Sequence, residues 1–125
     1  QIHGGIAQGM SQALFEEVQC DDASGQLLTG TFLDYIVPTI AEMPHFETDR
    51  TVTPSPTNEL GVKGIGEAGT IAASAAVINA VVDALAPFGV RHVEMPARPD
   101  RIWQLVRAGV QSNGHNPQAA TEVTA

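Results

Sequence analysis

The sequence contains one cysteine, Cys20, in 125 residues. An internal disulfide framework and a multi-cysteine zinc site are therefore both excluded. Basic side chains are scarce: Lys and Arg number 6 against 14 Asp and Glu, a formal charge of −8. Proteins that bind nucleic acid or an anionic membrane surface draw affinity from basic patches, so neither partner is expected. No apolar run reaches about 18 residues without a polar interruption, so no membrane span is expected. A basic stretch followed by an apolar core is also missing, so there is no visible signal peptide and the expectation is a cytoplasmic protein. An initiator methionine is missing too: the chain opens directly on patterned sequence, Gln1-Ile2-His3-Gly4-Gly5. That start leads us to expect a piece of a longer protein.

What is present is an ordered, apolar composition. Apolar residues make up 43% and charged residues 16%, which does not suit a disordered chain. The length fits one domain. From about Gly5 to Glu17, Ile6, Met10, Ala13 and Leu14 recur on one face of a predicted helix. Asp21-Asp22-Ala23-Ser24-Gly25 is a cluster of turn formers between Glu17–Cys20 and Gln26–Thr29, which predicts a hairpin. Thr31–Val37, Phe46–Thr53 and Val90–Glu94 have strand-like composition. Thr53-Pro54-Ser55-Pro56 breaks any regular element.

Thr70 to Ala86 predicts a helix that is apolar on nearly every side, with no continuous polar stripe. A domain of this length has little interior in which to hide such a helix, which again suggests a larger body. A last helix opens at Pro99-Asp100, carries Ile102, Trp103, Leu105 and Val106, and is expected to end at Gly109. Trp103 reads as a packing anchor. The expected fold class is α+β, a mixed or antiparallel sheet with three main helices. Residues 1–108 form the ordered part, and 109–125 are expected to be a disordered tail.

Gly61-Val62-Lys63-Gly64-Ile65-Gly66-Glu67-Ala68-Gly69 places four glycines in nine residues. Such density implies positive φ or a very close approach. Gly64 to Gly69 fits the letters of a dinucleotide-binding turn, but a Pro-rich stretch precedes it where a strand should. Asp83, the nearest acid at the right distance, falls inside a helix. Glu67 then reads in two ways. It caps the following helix, or it is a general base, its acidity set between burial on one side and the helix dipole and Lys63 on the other.

Taken together, Gln1-Ile2-His3-Gly4-Gly5-Ile6-Ala7-Gln8-Gly9, Leu33-Asp34-Tyr35 with Pro38, Thr53-Pro54-Ser55-Pro56 and Gly61 to Gly69 resemble the molybdenum hydroxylases. The likeness is to the C-terminal end of a large subunit of this xanthine oxidase superfamily, in the carbon monoxide dehydrogenase large-subunit-like branch. It runs in order from Gln1 to about Arg107. The resemblance implies that residues 1–108 are the C-terminal part of a molybdopterin-binding domain. It implies that Glu67 matches the glutamate that takes the proton of the molybdenum-bound hydroxyl. It implies that Gln1 matches a glutamine touching the pterin, and that Gly64 and Gly66 let the backbone approach the metal centre.

The implied cofactor is molybdopterin cytosine dinucleotide carrying molybdenum, with 2Fe-2S clusters and FAD on partner subunits. The implied substrate is a small molecule: CO, an aldehyde or an aromatic heterocycle. Ala68 stands where xanthine-oxidising relatives have proline, which points away from purines. Cys20 is not at the position of the copper-binding cysteine of carbon monoxide dehydrogenases and reads as a hairpin cysteine. Gln8 is a further candidate for contacting cofactor or substrate, because an amide both donates and accepts. His3, His45 and His92 lack metal-ligand spacing and read as structural. A non-catalytic assembly domain of the same fold, using its apolar helix as an interface, is the alternative.

Overall fold

A computed structural model describes residues 1–113. Helix α1 spans Ile2–Leu14, α2 spans Ala68–Leu85 and α3 spans Pro99–Asn113. A 3₁₀ turn, Ala86–Phe88, closes α2, and Gly89 caps it in the left-handed region at φ 78°. Pro87-Phe88-Gly89 thus ends the helix, with glycine where a Cβ would be strained.

Helices α1 and α2 pair through their smallest residues. The buried residues of α1 are Gly5, Gly9, Ser11 and Ala13. A Cβ on Gly69 would lie 2.5 Å from the Ile2 carbonyl oxygen and 2.9 Å from the Ile6 nitrogen, so the two backbones nearly touch. Thr70 Oγ1 donates to the Gly5 carbonyl at 2.7 Å, and one turn later Ser74 Oγ donates to the Gly9 carbonyl at 3.1 Å. The predicted stripe of Ile6, Met10, Ala13 and Leu14 is therefore only partly the inner face. Hydroxyl bonds reward a close approach that large side chains would prevent.

The apolar core lies at the other end of this pair. Leu85, Val90, Val93 and Ala97 are buried there against Leu14, Val82, Phe88, Ile102 and Val106. Ala97 N donates to the Ala13 carbonyl at 2.6 Å. Glu17 accepts from Arg98 at 3.0 Å and Arg101 at 3.2 Å, with its side chain only 16% exposed. This pairing ties α3 to the segment that leaves α1. Above it, Glu16 accepts hydrogen bonds from the Ser11 hydroxyl and the Tyr35 phenol. The Glu16 carboxylate holds the Tyr35 phenol above its ordinary pKa, chiefly through that hydrogen bond.

The expected sheet is not formed. Among the described residues there is no strand, and the predicted hairpin is reduced to one antiparallel bridge, Cys20 to Leu27. Its turn is built as expected. Gly25 takes φ 69°, and Ser24 donates from its backbone nitrogen at 2.8 Å and its hydroxyl at 2.5 Å to the Asp21 carboxylate, holding that group below the usual carboxylate range. Thr31–Tyr35 is a turn, with Tyr35 N donating to the Thr31 carbonyl at 2.8 Å. Residues 46–53 and 90–94 are irregular. The α+β class is thus corrected to three helices joined by extended loops. A strand exists only beside a partner, and the β-rich segments of this chain are not brought next to one another; Phe32, Leu33 and Val52 stay exposed.

Three further expectations change. Helix α3 continues past Gly109, which is glycine because a Cβ there would collide with the Phe88 carbonyl oxygen. Of the expected tail 109–125, residues 109–113 are helical and the rest lies outside the described residues. Trp103 is 58% exposed, with the Arg107 guanidinium carbon 4.8 Å from its ring centroid, so it is not an anchor within this chain. Helix α2 is apolar all round, but Ile71 is 74% exposed and only Ala73 and Leu85 are buried. The stretch Ala68–Phe88, 21 residues, is long and apolar enough to cross a membrane by length and composition alone. The expectation of no such span rests on counting Thr70, Ser74, Asn79 and Asp83 as interruptions, which a helix of this mean hydropathy tolerates.

Candidate active site

The glycine loop is held from below by the segment that precedes it. Ser55 N donates to the Gly61 carbonyl at 2.9 Å, and the Asn58 side chain makes two bonds of 3.0 Å to the backbone of Val62. Gly61 takes φ 65°, and its Cβ position lies 2.9 Å from Pro54 Cβ. The Thr53-Pro54-Ser55-Pro56 stretch therefore acts as a rigid base on which the loop turns. Lys63 Nζ donates to Thr53 Oγ1 at 2.9 Å, so its ammonium joins this base and does not pair with Glu67 as expected.

The loop then runs to the paired ends of α1 and α2. Gln1 occupies the N-cap of α1, and its Nε2 donates to the Gly66 carbonyl at 2.8 Å, linking positions 65 apart. Glu67 occupies the N-cap of α2, and its own carbonyl accepts from Thr70 N and Ile71 N, each at 3.0 Å. Its side chain makes no capping hydrogen bond, so the capping role read from the sequence is not the one it plays. The carboxylate is exposed and has no hydrogen-bond or ion-pair partner among the described residues. It stands at the positive end of the α2 dipole, which favours an anion.

The four glycines of the loop divide by cause. Gly61 needs its positive φ, and Gly69 needs its closeness to α1. Gly64 and Gly66 need neither: both lack positive φ, and a Cβ on either would meet nothing within 4 Å. Their smallness answers to no group among the described residues, which leaves bare backbone at both positions beside Glu67. Gln8 is exposed on α1, and its Oε1 is 3.4 Å from Thr70 Oγ1, while its NH₂ has no partner among the described residues. The structure thus brings Gln1, Gly66 and Glu67 together, with Gly64 nearby in the same loop. It puts Gln8 further along the same seam.

Two clefts flank this end. An apolar groove of about 630 Å³ runs along α2, lined by Ile2, Ile6, Met10, Ile65, Ala72 and Val77. A second cleft of about 440 Å³ is lined by His3, His45 and Phe46, with the His3 and Phe46 rings 5.8 Å apart. Among the described residues no group of three or more His, Cys, Asp or Glu is placed to hold a metal ion. Cys20 is exposed and unpaired, well along the chain from the glycine loop. Thr70 and Ser74, which clamp the site's two helices, were not singled out from the sequence. Their signal was the matched spacing of four in Gly5/Gly9, Gly69/Ala73 and Thr70/Ser74.

Residues 1–44 match the molybdopterin cofactor-binding domain family. The chain is 45% identical over 123 residues to the nicotine 6-hydroxylase large subunit of Paenarthrobacter nicotinovorans, covering 98% of this chain and 15% of that protein. Over most of its length it is similar to large subunits of the molybdenum hydroxylase (xanthine oxidase) family. The carbon monoxide dehydrogenase large chain of Hydrogenophaga pseudoflava is 43% identical over 107 residues, 86% of this chain and 13% of that one. The crystal structure of quinoline 2-oxidoreductase from Pseudomonas putida 86 superposes with a TM-score of 0.81 at 45% identity, covering 85% of this chain and 13% of that one. The chain therefore spans only a small fraction of the length of these family members. The likeness covers both α1 and the glycine loop, so the molybdopterin cofactor is the group against which the open glycine surface is to be judged. Backbone without side chains, a free carboxylate and uncommitted carboxamide donors fit such a group.

Proposed function

We propose that this chain forms part of a molybdenum hydroxylase large subunit, near its C-terminal end, and that Glu67 is the general base of the reaction. The observation that carries the reading is the free Glu67 carboxylate beside the bare backbone of Gly64 and Gly66. When bound, the molybdenum centre supplies two-electron oxidation with water as the source of oxygen. The protein's part is a proton transfer and a fixed geometry. Glu67 accepts the proton of the attacking hydroxyl on a carboxylate oxygen, and its freedom from other partners keeps both oxygens available. Gly64 and Gly66 admit the cofactor to close range. Gln1 and Gln8 offer it amide donors, Gln1 through the N–H that Gly66 leaves free.

The cofactor form on this reading is molybdopterin cytosine dinucleotide, and electrons leave through 2Fe-2S and FAD on partner subunits. The substrate is CO, an aldehyde or an aromatic heterocycle. The nicotine and quinoline enzymes, each 45% identical, favour a nitrogen heterocycle. On this reading the rest of a cytoplasmic large subunit covers the apolar faces of α2, and the helix is an interior one and not a membrane span. The test is Glu67→Gln in the intact enzyme. The change keeps the shape and removes the base, and a loss of at least ~10²-fold in turnover is expected with molybdenum retained. Near-normal turnover in that variant would leave the assembly-domain reading in its place.

A further inference from the structure

We propose that Gln1 is a positioning residue for Glu67, acting through the Gly66 carbonyl; this rests on the reading of Glu67 as base. The two peptides that flank the Glu67 side chain are each held, one on the helix side and one on the loop side. On the helix side, the Glu67 carbonyl is fixed by Thr70 N and Ile71 N, both at 3.0 Å. On the loop side two contacts hold the peptide that joins Gly66 to Glu67: Ala68 N donates to the Ile65 carbonyl at 3.2 Å and closes the turn around it, and Gln1 Nε2 donates to Gly66 O itself at 2.8 Å. Gly66 has no Cβ to restrict it, and a Cβ there would meet nothing within 4 Å, so side-chain packing does not fix the peptide's orientation within the turn, and the bond from Gln1 is what addresses its carbonyl.

Gln1 can carry this load because its own end of α1 is anchored. Gly5 N donates to the Gln1 carbonyl at 2.9 Å, Thr70 Oγ1 grips the Gly5 carbonyl at 2.7 Å, and Gly69 abuts the Ile2 carbonyl. The path from Gln1 to Glu67 thus closes on itself through the two helix ends. One N–H and Oε1 of the same carboxamide stay uncommitted among the described residues. A group that binds them would therefore act on the side chain that sets the base.

The test is Gln1→Met in the intact enzyme, alone and combined with Glu67→Gln. Methionine keeps an unbranched side chain of similar length, removes the donor and adds no charge. Loss of the pin is expected to lower kcat by roughly ten- to a hundredfold, as small misplacements of a reacting group do, with little change in KM. Amide hydrogen exchange at residues 66–70 should speed up in Gln1→Met. The double variant should be no slower than Glu67→Gln alone, because residues that act as one unit are not additive. If Gln1→Met prevents cofactor loading, exchange is compared in the cofactor-free protein. Unchanged exchange at 66–70, or additive losses with Glu67→Gln inactive, would overturn the positioning role while leaving the base intact. Normal turnover in Glu67→Gln alone would overturn the base reading first.

Discussion

Replacing Gly9 with alanine tests how closely α1 and α2 approach. In a helix interior the change to alanine favours folding by about 0.8–1.0 kcal/mol. At Gly9 the new Cβ would stand 2.6 Å from Ala73 Cβ and 3.2 Å from both Ser74 N and the Thr70 carbonyl oxygen. Carbon atoms rest at about 3.5–4.0 Å, so the helices must part by about 1 Å. Neither Ala73 nor the α2 backbone can turn aside. Such overpacking costs about 1–3 kcal/mol. Parting the helices also stretches the bonds from Ser74 to Gly9 and from Thr70 to Gly5, now 3.1 Å and 2.7 Å. Each contributes about 1 kcal/mol. The net expectation is a loss of about 1–3 kcal/mol. Gly4, in the same helix, has nothing within 4 Å of its Cβ position, and there the same change should stabilise by up to about 1 kcal/mol. Urea denaturation followed by circular dichroism measures both. Equal stability of the two variants would refute the close approach and, with it, the account of why Gly69 and Gly9 are glycines.

Glu67→Gln should reduce turnover at least ~10²-fold with molybdenum content unchanged, and Gln1→Met should reproduce part of that loss through kcat while speeding exchange at residues 66–70. The chain has one tyrosine, so the phenolate absorbance near 295 nm should report Tyr35 alone, ionising above the usual value near 10. Glu16→Gln should bring that titration down. Because the folded-state value is raised, the contact stabilises below pH ~10 and is lost as pH climbs through the raised value; a titration identical in both proteins would contradict the bond. Glu17→Ala strands two guanidiniums, since Arg98 and Arg101 both pair with it. It should destabilise the docking of α3 by about 1–3 kcal/mol, read as a lower urea midpoint.

Much of this was legible in the sequence. The three helices were, because periodicity and punctuation are local: Pro99-Asp100 opens α3, and Gly89 follows the Pro87 turn that ends α2. The candidate site was legible as a set of motifs, Gln1 to Gly9 and Gly61 to Gly69, and the structure brings these two ends together through Gln1 and Gly66. The sheet was not legible correctly. Composition at Thr31–Val37 and Phe46–Thr53 records a taste for extended backbone, but pairing is a property of two segments and none is supplied alongside. Gly109 was misread for a similar reason. A glycine reads as a helix end from local chemistry, while its cause is the Phe88 carbonyl across the helix junction.

By itself, the sequence determined the acidic charge, the helix-forming segments, the Pro-rich stretch and the one acid set among four glycines. These follow from side-chain chemistry and from backbone preferences that act within a few residues. The tertiary structure decided which glycines serve the fold and which are left bare. Gly61 and Gly69 are used up by φ and by the contact with α1, while Gly64 and Gly66 are not. It also decided that Lys63 turns to Thr53 and that Gln1 reaches Gly66, leaving the Glu67 carboxylate without a partner among the described residues. Those outcomes depend on groups far apart in the chain being placed within 3 Å of one another. No local rule sets such a distance; helix pairing does, because hydroxyl bonds from Thr70 and Ser74 fix two backbones where only small residues fit.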